Sequence, residues 1–236
     1  MSESFAVCIV TYQRKNGKSP FYLNRSVQSI LNQTYDNWKL YVYGDKYEDE
    51  EEFNSILSIV PSEKLVKYNM DVALERENVK DRSQLWMIGG INTMNTVRQK
   101  AVDDGYKWIC HLDDDDYWHP SRLQIINESL QKVSDPCFIY NYSTHNGSMW
   151  PPVKVTEIRS NNLKPTPGYA IHSSFIFNKK LLNQFKMKTW PEDYKDSGDW
   201  QTLQFIDSFL KQNKDEYSLF IPQLLVYHPI EGESRT

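Results

Sequence analysis

The chain has 236 residues, 39% hydrophobic and 25% charged, a balance that fits one folded unit with a real core and excludes a disordered chain. Its formal net charge is −4 with no basic run, which disfavours a nucleic acid polymer as partner. A cation that bridges acidic side chains to an anionic ligand remains compatible with that charge.

Phe5–Val10 is a continuous apolar run, the pattern of a strand buried on both faces. After a polar loop with Gly17 and Pro20, Leu23, Val27, Ile30 and Leu31 recur at helical spacing and predict an amphipathic helix ending near Gln33. WKLYVYGD predicts a second strand that ends at Asp45. The acidic stretch 48–52 then opens a helix with Phe53, Ile56, Leu57 and Val60 on one face, and KLVKYNM predicts a third strand. Residues 71–90 are polar and irregular, and Gly89 and Gly90 lead into a helix over Asn92–Val102. Trp108–Leu112 is the fourth strand; a helix marked by Leu123, Ile126 and Leu130 and a strand over CFIYNY follow.

This alternation predicts an α/β fold with a mostly parallel central sheet flanked by helices. The second half changes character. VKVTEI and AIHSSFIF predict strands separated by a loop with Pro165 and Pro167, and a helix from Asp199 carries Trp200, Leu203, Ile206 and Leu210. The last strand, about Leu219–Tyr227, is expected to lie at an edge or to begin at Pro222, which cannot donate to a ladder. One domain is expected over 1–236, with a nucleotide-binding half (1–120) and an acceptor-binding half (121–236), and it could be the N-terminal domain of a longer protein.

Cys8, Cys110 and Cys137 each lie in an apolar run and their number is odd, which reads as reduced core thiols of a cytoplasmic protein. The opening MSESFAVCIVTY has no basic n-region, and its apolar run is too short for a signal peptide or a membrane span.

The chemistry centres on HLDDDDYWHP, residues 111–120. Ligands of open α/β sheets bind beyond the carboxyl ends of the strands. Asp113–Asp116 follow the fourth strand, Asp45 ends the second, and Thr11 and Tyr12 end the first, so all face one crevice. Clustered carboxylates are costly unless a cation compensates them, and oxygen donors suit Mg²⁺ or Mn²⁺. A solvated acidic loop opening the next helix is the bland alternative; the strand-end position and the pair Tyr117–Trp118 favour the cation. The sequence has no GxxxxGK[ST] and no GxGxxG after the first strand, which sets aside a P-loop and a dinucleotide fold.

CIVTYQR, LNRSVQSILNQTYDNWKLYVYGD and GYKWICHLDDDDYWHPSRL resemble the corresponding segments of family 2 glycosyltransferases, which have the GT-A fold and invert at the anomeric carbon. The resemblance is strongest over residues 5–45 and 105–123. It implies that Thr11 and Tyr12 cradle a nucleotide base and that Asp45 accepts the imide N–H of uracil or thymine. Many relatives carry two acidic residues there; this chain has Gly44–Asp45. It implies further that Arg76 lies near the nucleotide, with Arg82 as its rival, that Asp113 and Asp114 face ribose and donor sugar, and that Asp115 is the main metal ligand.

Transfer with inversion also needs a base for the acceptor hydroxyl. Asp199, in YKDSGDWQTLQFI, matches an acidic residue of relatives, although an aspartate opening a helix is equally a cap; Glu192 and Asp193 are the alternatives. His172 falls where relatives line the acceptor pocket, with a satisfied core histidine as the other reading. His228 falls where some GT-A enzymes supply a metal-ligating histidine. The expected function is therefore metal-dependent sugar transfer from a UDP-sugar to a carbohydrate acceptor. The rivals are a sugar-nucleotide nucleotidyltransferase, for which TYQRKNGKSP is a poor version of the required glycine-rich basic segment, and a nucleotide- or carbohydrate-binding module without chemistry.

Overall fold

Alternating burial sets the architecture from the first strand. In β1 (Phe5–Thr11), Phe5, Val7 and Ile9 face one side, Ala6 and Cys8 the other, and all are fully buried. Both faces of the sheet must therefore be covered by helices. The computed structural model describes residues 2–152, 155, 158–163, 165, 169–191 and 196–229.

The chain continues through α1 (Ser19–Leu31), β2 (Trp38–Gly44), α2 (Glu50–Leu57), β3 (Leu65–Asn69), α3 (Leu74–Asn78), α4 (Arg82–Ile88), α5 (Ile91–Asp103) and β4 (Trp108–His111). The second half holds β5 (Tyr117–Trp118), α6 (Arg122–Leu130), β6 (Phe138–His145), β7 (Ser148–Trp150), β8 (Arg159–Ser160), β9 (Ile176–Asn178), α7 (Lys179–Leu182), α8 (Gly198–Gln212) and β10 (Ser218–His228). One sheet runs in the order β3-β2-β1-β4-β9-β6-β10-β5, with β7 on β6 and β8 on β10. The first four strands are parallel, β9 runs antiparallel to both neighbours, and β6 and β10 are parallel again. The α/β domain with a parallel first half and a mixed second half is as the sequence predicts.

Leu23, Val27 and Ile30 of α1, Phe53 and Leu57 of α2, and Leu123 and Ile126 of α6 build the core on one face. Met94, Val97 and Ala101 of α5 and Leu203, Ile206 and Leu210 of α8 build the other. The three cysteines are free and buried, and burial pushes the Cys110 and Cys137 thiols up to about 12, so they are inert core groups. No helix among the described residues is long and apolar enough to cross a membrane.

Four local expectations are corrected. AIHSSFIF is not one strand: His172–Ser174 form a 3₁₀ turn and only Ile176–Asn178 pair in the sheet. The serine side chains compete with the ladder, Ser174 Oγ donating to the Ile171 carbonyl at 2.7 Å. β10 is not an edge strand, since it lies between β6 and β5; Pro222 is accommodated at a register shift between Ile221 and Leu224, where a bulge removes the need for its missing N–H. Residues 71–90 contain two short helices, α3 and α4. The helix bearing Asp199 begins at Gly198 with Ser197 as its N-cap, so Asp199 is not the cap residue. Most of VKVTEI (Val153, Lys154, Thr156, Glu157) and Pro167 lie outside the described residues.

Trp118 anchors the turn after the acidic quartet. It is 2% exposed, its indole N–H donates to the Ser173 carbonyl at 3.1 Å, and the fully buried Arg122 guanidinium stacks on its ring at 3.8 Å. Trp118→Ala is expected to lower the unfolding free energy by about 3–5 kcal/mol, measured by urea denaturation; a loss under about 1 kcal/mol would show that the ring anchors nothing.

Candidate functional site

The ends of β1, β2 and β4 bring the predicted residues to one crevice. The Thr11 carbonyl accepts the Asp45 amide at 2.7 Å, which fixes the exit of β2. Asp45 is 1% exposed; one carboxylate oxygen accepts from Thr93 Oγ1 at 2.6 Å and the other from Arg76 Nε at 2.9 Å. Arg76 also donates to the Asp45 carbonyl. Arg82, its rival in the sequence, is exposed at the start of α4. A Cβ on Gly44 would lie 2.3 Å from Asn69 Oδ1. Asn69 is itself committed to the Tyr47 amide at 2.8 Å, so a second acidic side chain at position 44 has no room. The Tyr12 ring has the guanidinium of Arg14 at 4.7 Å and that of Arg76 at 4.9 Å from its centroid, an aromatic plate held by two cations.

The acidic quartet divides among different partners. Arg14, 7% exposed, grips Asp114 in a two-pronged pair at 2.6 and 2.8 Å, and Thr11 Oγ1 donates to the same carboxylate at 2.6 Å. Burial alone would lower the Arg14 pKa, but Asp114 outweighs it and pushes the value upward, so the guanidinium stays charged. His111 Nε2 bonds Asp113 at 2.7 Å, and Ser173 both accepts the Asp113 amide and donates to its side chain. Burial opposes the Asp113 charge, yet His111 holds this carboxyl well below the usual carboxylate range. Asp116 is fully buried and bonds His228 Nδ1 at 2.5 Å. Burial would lower the His228 pKa; the Asp116 bond overrides it and raises the imidazole to about 9.

Asp115 is left with the least. Arg14 reaches it only at 3.4 Å, while Arg25 donates to its backbone carbonyl at 2.6 Å. Burial first, then repulsion from Asp114 and Asp116, pushes its carboxyl well above the ordinary range. Asp115, Asp116 and His228 place one donor atom each within 4.8 Å of one another, and the buried Asp116 Oδ2 has no hydrogen-bond partner. Two carboxylates and an imidazole with an oxygen to spare are a donor set that fits a divalent ion such as Mn²⁺.

His172 is drawn into the interior of this cluster. Its ring lies 3.9 Å from that of His111, and its Nε2 accepts from the buried Arg98 at 2.8 Å. Burial holds it neutral, far below the ordinary imidazole value. His111, Asp113 and His172 form a second cluster of possible metal donors, but Arg98 already supplies positive charge beside it. Asp199 stands in the first turn of α8, accepting from Ser197 Oγ and from the Trp200 amide at 2.8 Å. Burial raises its carboxyl, and the charge of Asp113 reaches it and pushes the same way. Glu192 and Asp193 lie outside the described residues.

The sequence reading missed Arg14, Thr93 and His111. Arg14 was legible in part, as a cation three residues beyond the strand end that carries Thr11. Thr93 and His111 gave no signal, since each looks like an ordinary helix or strand residue.

Two outcomes follow from this geometry. Arg14→Met is expected to destabilise the protein by about 3 kcal/mol at neutral pH, because it strands a buried carboxylate. The double variant with Asp114→Asn should recover most of that loss in a double-mutant cycle. The Asp116–His228 pair stabilises fully below the ordinary imidazole pKa, and its contribution is lost as pH rises through about 9. His228→Gln should therefore remove an alkaline fall in melting temperature that the wild type shows between about pH 7 and pH 10.

No family model matches the sequence. The chain is 32% identical over 246 residues to an uncharacterized glycosyltransferase of Acanthamoeba polyphaga mimivirus, covering 97% of this chain and 94% of that protein. Its fold is similar to that of S. aureus TarS 1–349 in complex with UDP-GlcNAc, with a TM-score of 0.63 at 13% identity over 95% of this chain and 58% of that one. It is also similar to the mannosyltransferase PcManGT from Pyrobaculum calidifontis in complex with GDP-Man and Mn²⁺, with a TM-score of 0.55 at 10% identity over 99% of this chain and 59% of that one. Identity at this level along nearly the whole length, on this fold, shows that the chain belongs to the glycosyltransferases.

Proposed function

We propose that this chain is a metal-dependent glycosyltransferase of family 2 with a GT-A fold, which moves a sugar with inversion from a UDP-sugar to a hydroxyl of a carbohydrate acceptor in the cytoplasm. The observation that carries this reading is the Asp115–Asp116–His228 donor set beside the Tyr12–Arg76–Asp45 pocket, at the carboxyl ends of parallel strands. The complexes of the structural neighbours with UDP-GlcNAc and with GDP-Man and Mn²⁺ support it.

In this reading the base stacks against Tyr12, and Asp45 receives its imide N–H. Each Asp45 oxygen already accepts one bond, from Thr93 or Arg76, and a carboxylate oxygen has a second lone pair to offer. Asp115, Asp116 and His228 would hold Mn²⁺ or Mg²⁺, and the imidazole donor favours Mn²⁺ over Mg²⁺. Such an ion, when bound, supplies the charge that a departing diphosphate needs. Asp113 and Asp114 would face ribose and donor sugar, positioned by His111 with Ser173 and by Thr11 with Arg14.

Asp199 is the proposed base. Burial raises its proton affinity toward the range in which a carboxylate removes a hydroxyl proton effectively. Its bonds to Ser197 and Trp200 use one oxygen and leave the other for the acceptor. His172, committed to Arg98 and His111, serves the acceptor side by supporting the wall beneath the site.

The test uses UDP release from a panel of UDP-sugars with and without Mn²⁺. Release should require Mn²⁺ and vanish in Asp115→Asn. Asp199→Asn should lower transfer by about 10²–10⁴-fold with UDP affinity retained. UDP binding without any turnover would favour a binding module, and pyrophosphate release from UTP with a sugar phosphate would favour a nucleotidyltransferase.

A further inference from the structure

Glu75 is a carboxylate without an evident purpose. It is 0% exposed on α3, one residue before the arginine that grips Asp45. Its two oxygens face the Asn92 amide at 3.2 and 3.4 Å, in the first turn of α5, and the Trp190 amide also favours its anion. Among the described residues it forms no ion pair with Lys, Arg or His. A buried acid of this kind costs stability unless its bonds hold something in place.

We propose that Glu75 is a positioning residue that straps α3 to the start of α5 and to the Trp190 segment, so that the Arg76–Asp45 pair and the approach to Asp199 share one register. The proposal rests on the nucleotide reading above and adds a link between the two halves of the site. α3 spans only Leu74–Asn78, too short to hold its own orientation, so Arg76 needs an external fixture. The fixture is well placed, because α5 also carries Thr93, the other partner of Asp45. Trp190, in turn, packs on the core face built by α5 and α8 and precedes the helix that bears Asp199. One carboxyl group therefore sits on the element that aims Arg76 and bonds the element that aims Thr93, while the Trp190 amide, in the segment before the proposed base, favours its anion.

Burial fixes the sign of its titration, and no cation among the described residues reverses that sign. Asp45 repels its anion, Arg76 is turned to Asp45, and Lys46 on the same side pairs with Glu77. Burial raises the Glu75 carboxyl to about 7 against the pull of its own amide and those of Asn92 and Trp190. A carboxyl whose pKa is raised by folding stabilises the fold most at acid pH, and that contribution is lost as pH rises through the raised value.

The test compares wild type, Glu75→Gln and Glu75→Ala by melting temperature from about pH 5 to pH 8, and by calorimetric titration of UDP with Mn²⁺. Glu75→Gln, neutral at every pH, should flatten the fall in melting temperature across that range by roughly 5 °C relative to wild type. Glu75→Ala, which removes the acceptors, should weaken UDP binding about tenfold, and Glu75→Gln should restore it to within about twofold. Parallel pH profiles for wild type and Glu75→Gln, or wild-type UDP affinity in Glu75→Ala, would overturn the proposal. If Glu75→Ala does not fold, the Gln variant decides through its pH profile. If the wild type itself fails to bind UDP, the nucleotide reading falls, while the ligand-free melting temperature of Glu75→Ala against that of Glu75→Gln still decides whether the acceptors strap α3 to α5: equal values would overturn it.

Discussion

The pair between Arg14 and Asp114 is the constraint on which the crevice depends. Four consecutive aspartates at one strand end would repel one another, and burial would sharpen that repulsion. A guanidinium gripping one carboxylate through two short bonds turns the turn from a liability into a rigid feature. The other charges are divided with the same economy. Asp113 is matched to His111 and Asp116 to His228, and the carbonyls of Asp114 and Asp116 converge on the hydroxyl of Ser26. Compensation is therefore partly internal: Asp115 is met least, and burial also raises the Asp116 carboxyl despite its bond to His228. Asp115, Asp116 and His228 still place one donor atom each within 4.8 Å of one another, a set that could hold a metal ion.

The same cations shape the neighbouring pocket. Arg14 and Arg76 each lie against the Tyr12 ring, and each holds an aspartate at a different strand end. The plate and the two carboxylates are thus parts of one network rather than separate contacts. Below it, the buried Arg98 and His111 and the half-buried His172 form a polar layer that ends at Asp113. The network is not fully satisfied, since the buried Nε atoms of Arg14 and Arg98 have no hydrogen-bond partner among the described residues.

Much of the fold was legible because its signals are local. Phe5–Val10 and Trp108–Leu112 are apolar runs that fit a doubly covered strand, and the helix faces of α1 and α6 follow from spacing. Misreadings arose where a side chain or a distant strand overrode the pattern. Ser173 and Ser174 pull their segment into a 3₁₀ turn, bonding Asp113 and the Ile171 carbonyl respectively. Pro222 suggested an edge, yet a bulge lets the strand sit inside the sheet. Tyr117–Trp118 showed no strand character on its own and becomes one only by pairing with Val226 and Tyr227.

The sequence by itself determined that acidic residues gather at the ends of parallel strands, because strand order and strand ends follow from hydrophobic pattern and turn position. It also carried the resemblance that named a nucleotide and a metal. Only the tertiary structure decided which cation meets which aspartate, that Arg76 rather than Arg82 reaches Asp45, and that His172 faces inward to Arg98. Some of those pairings join residues a hundred positions apart or more, as Arg14 and Asp114 or Asp116 and His228 are. Ion pairing depends on distance and burial in space, and neither quantity is written along the chain.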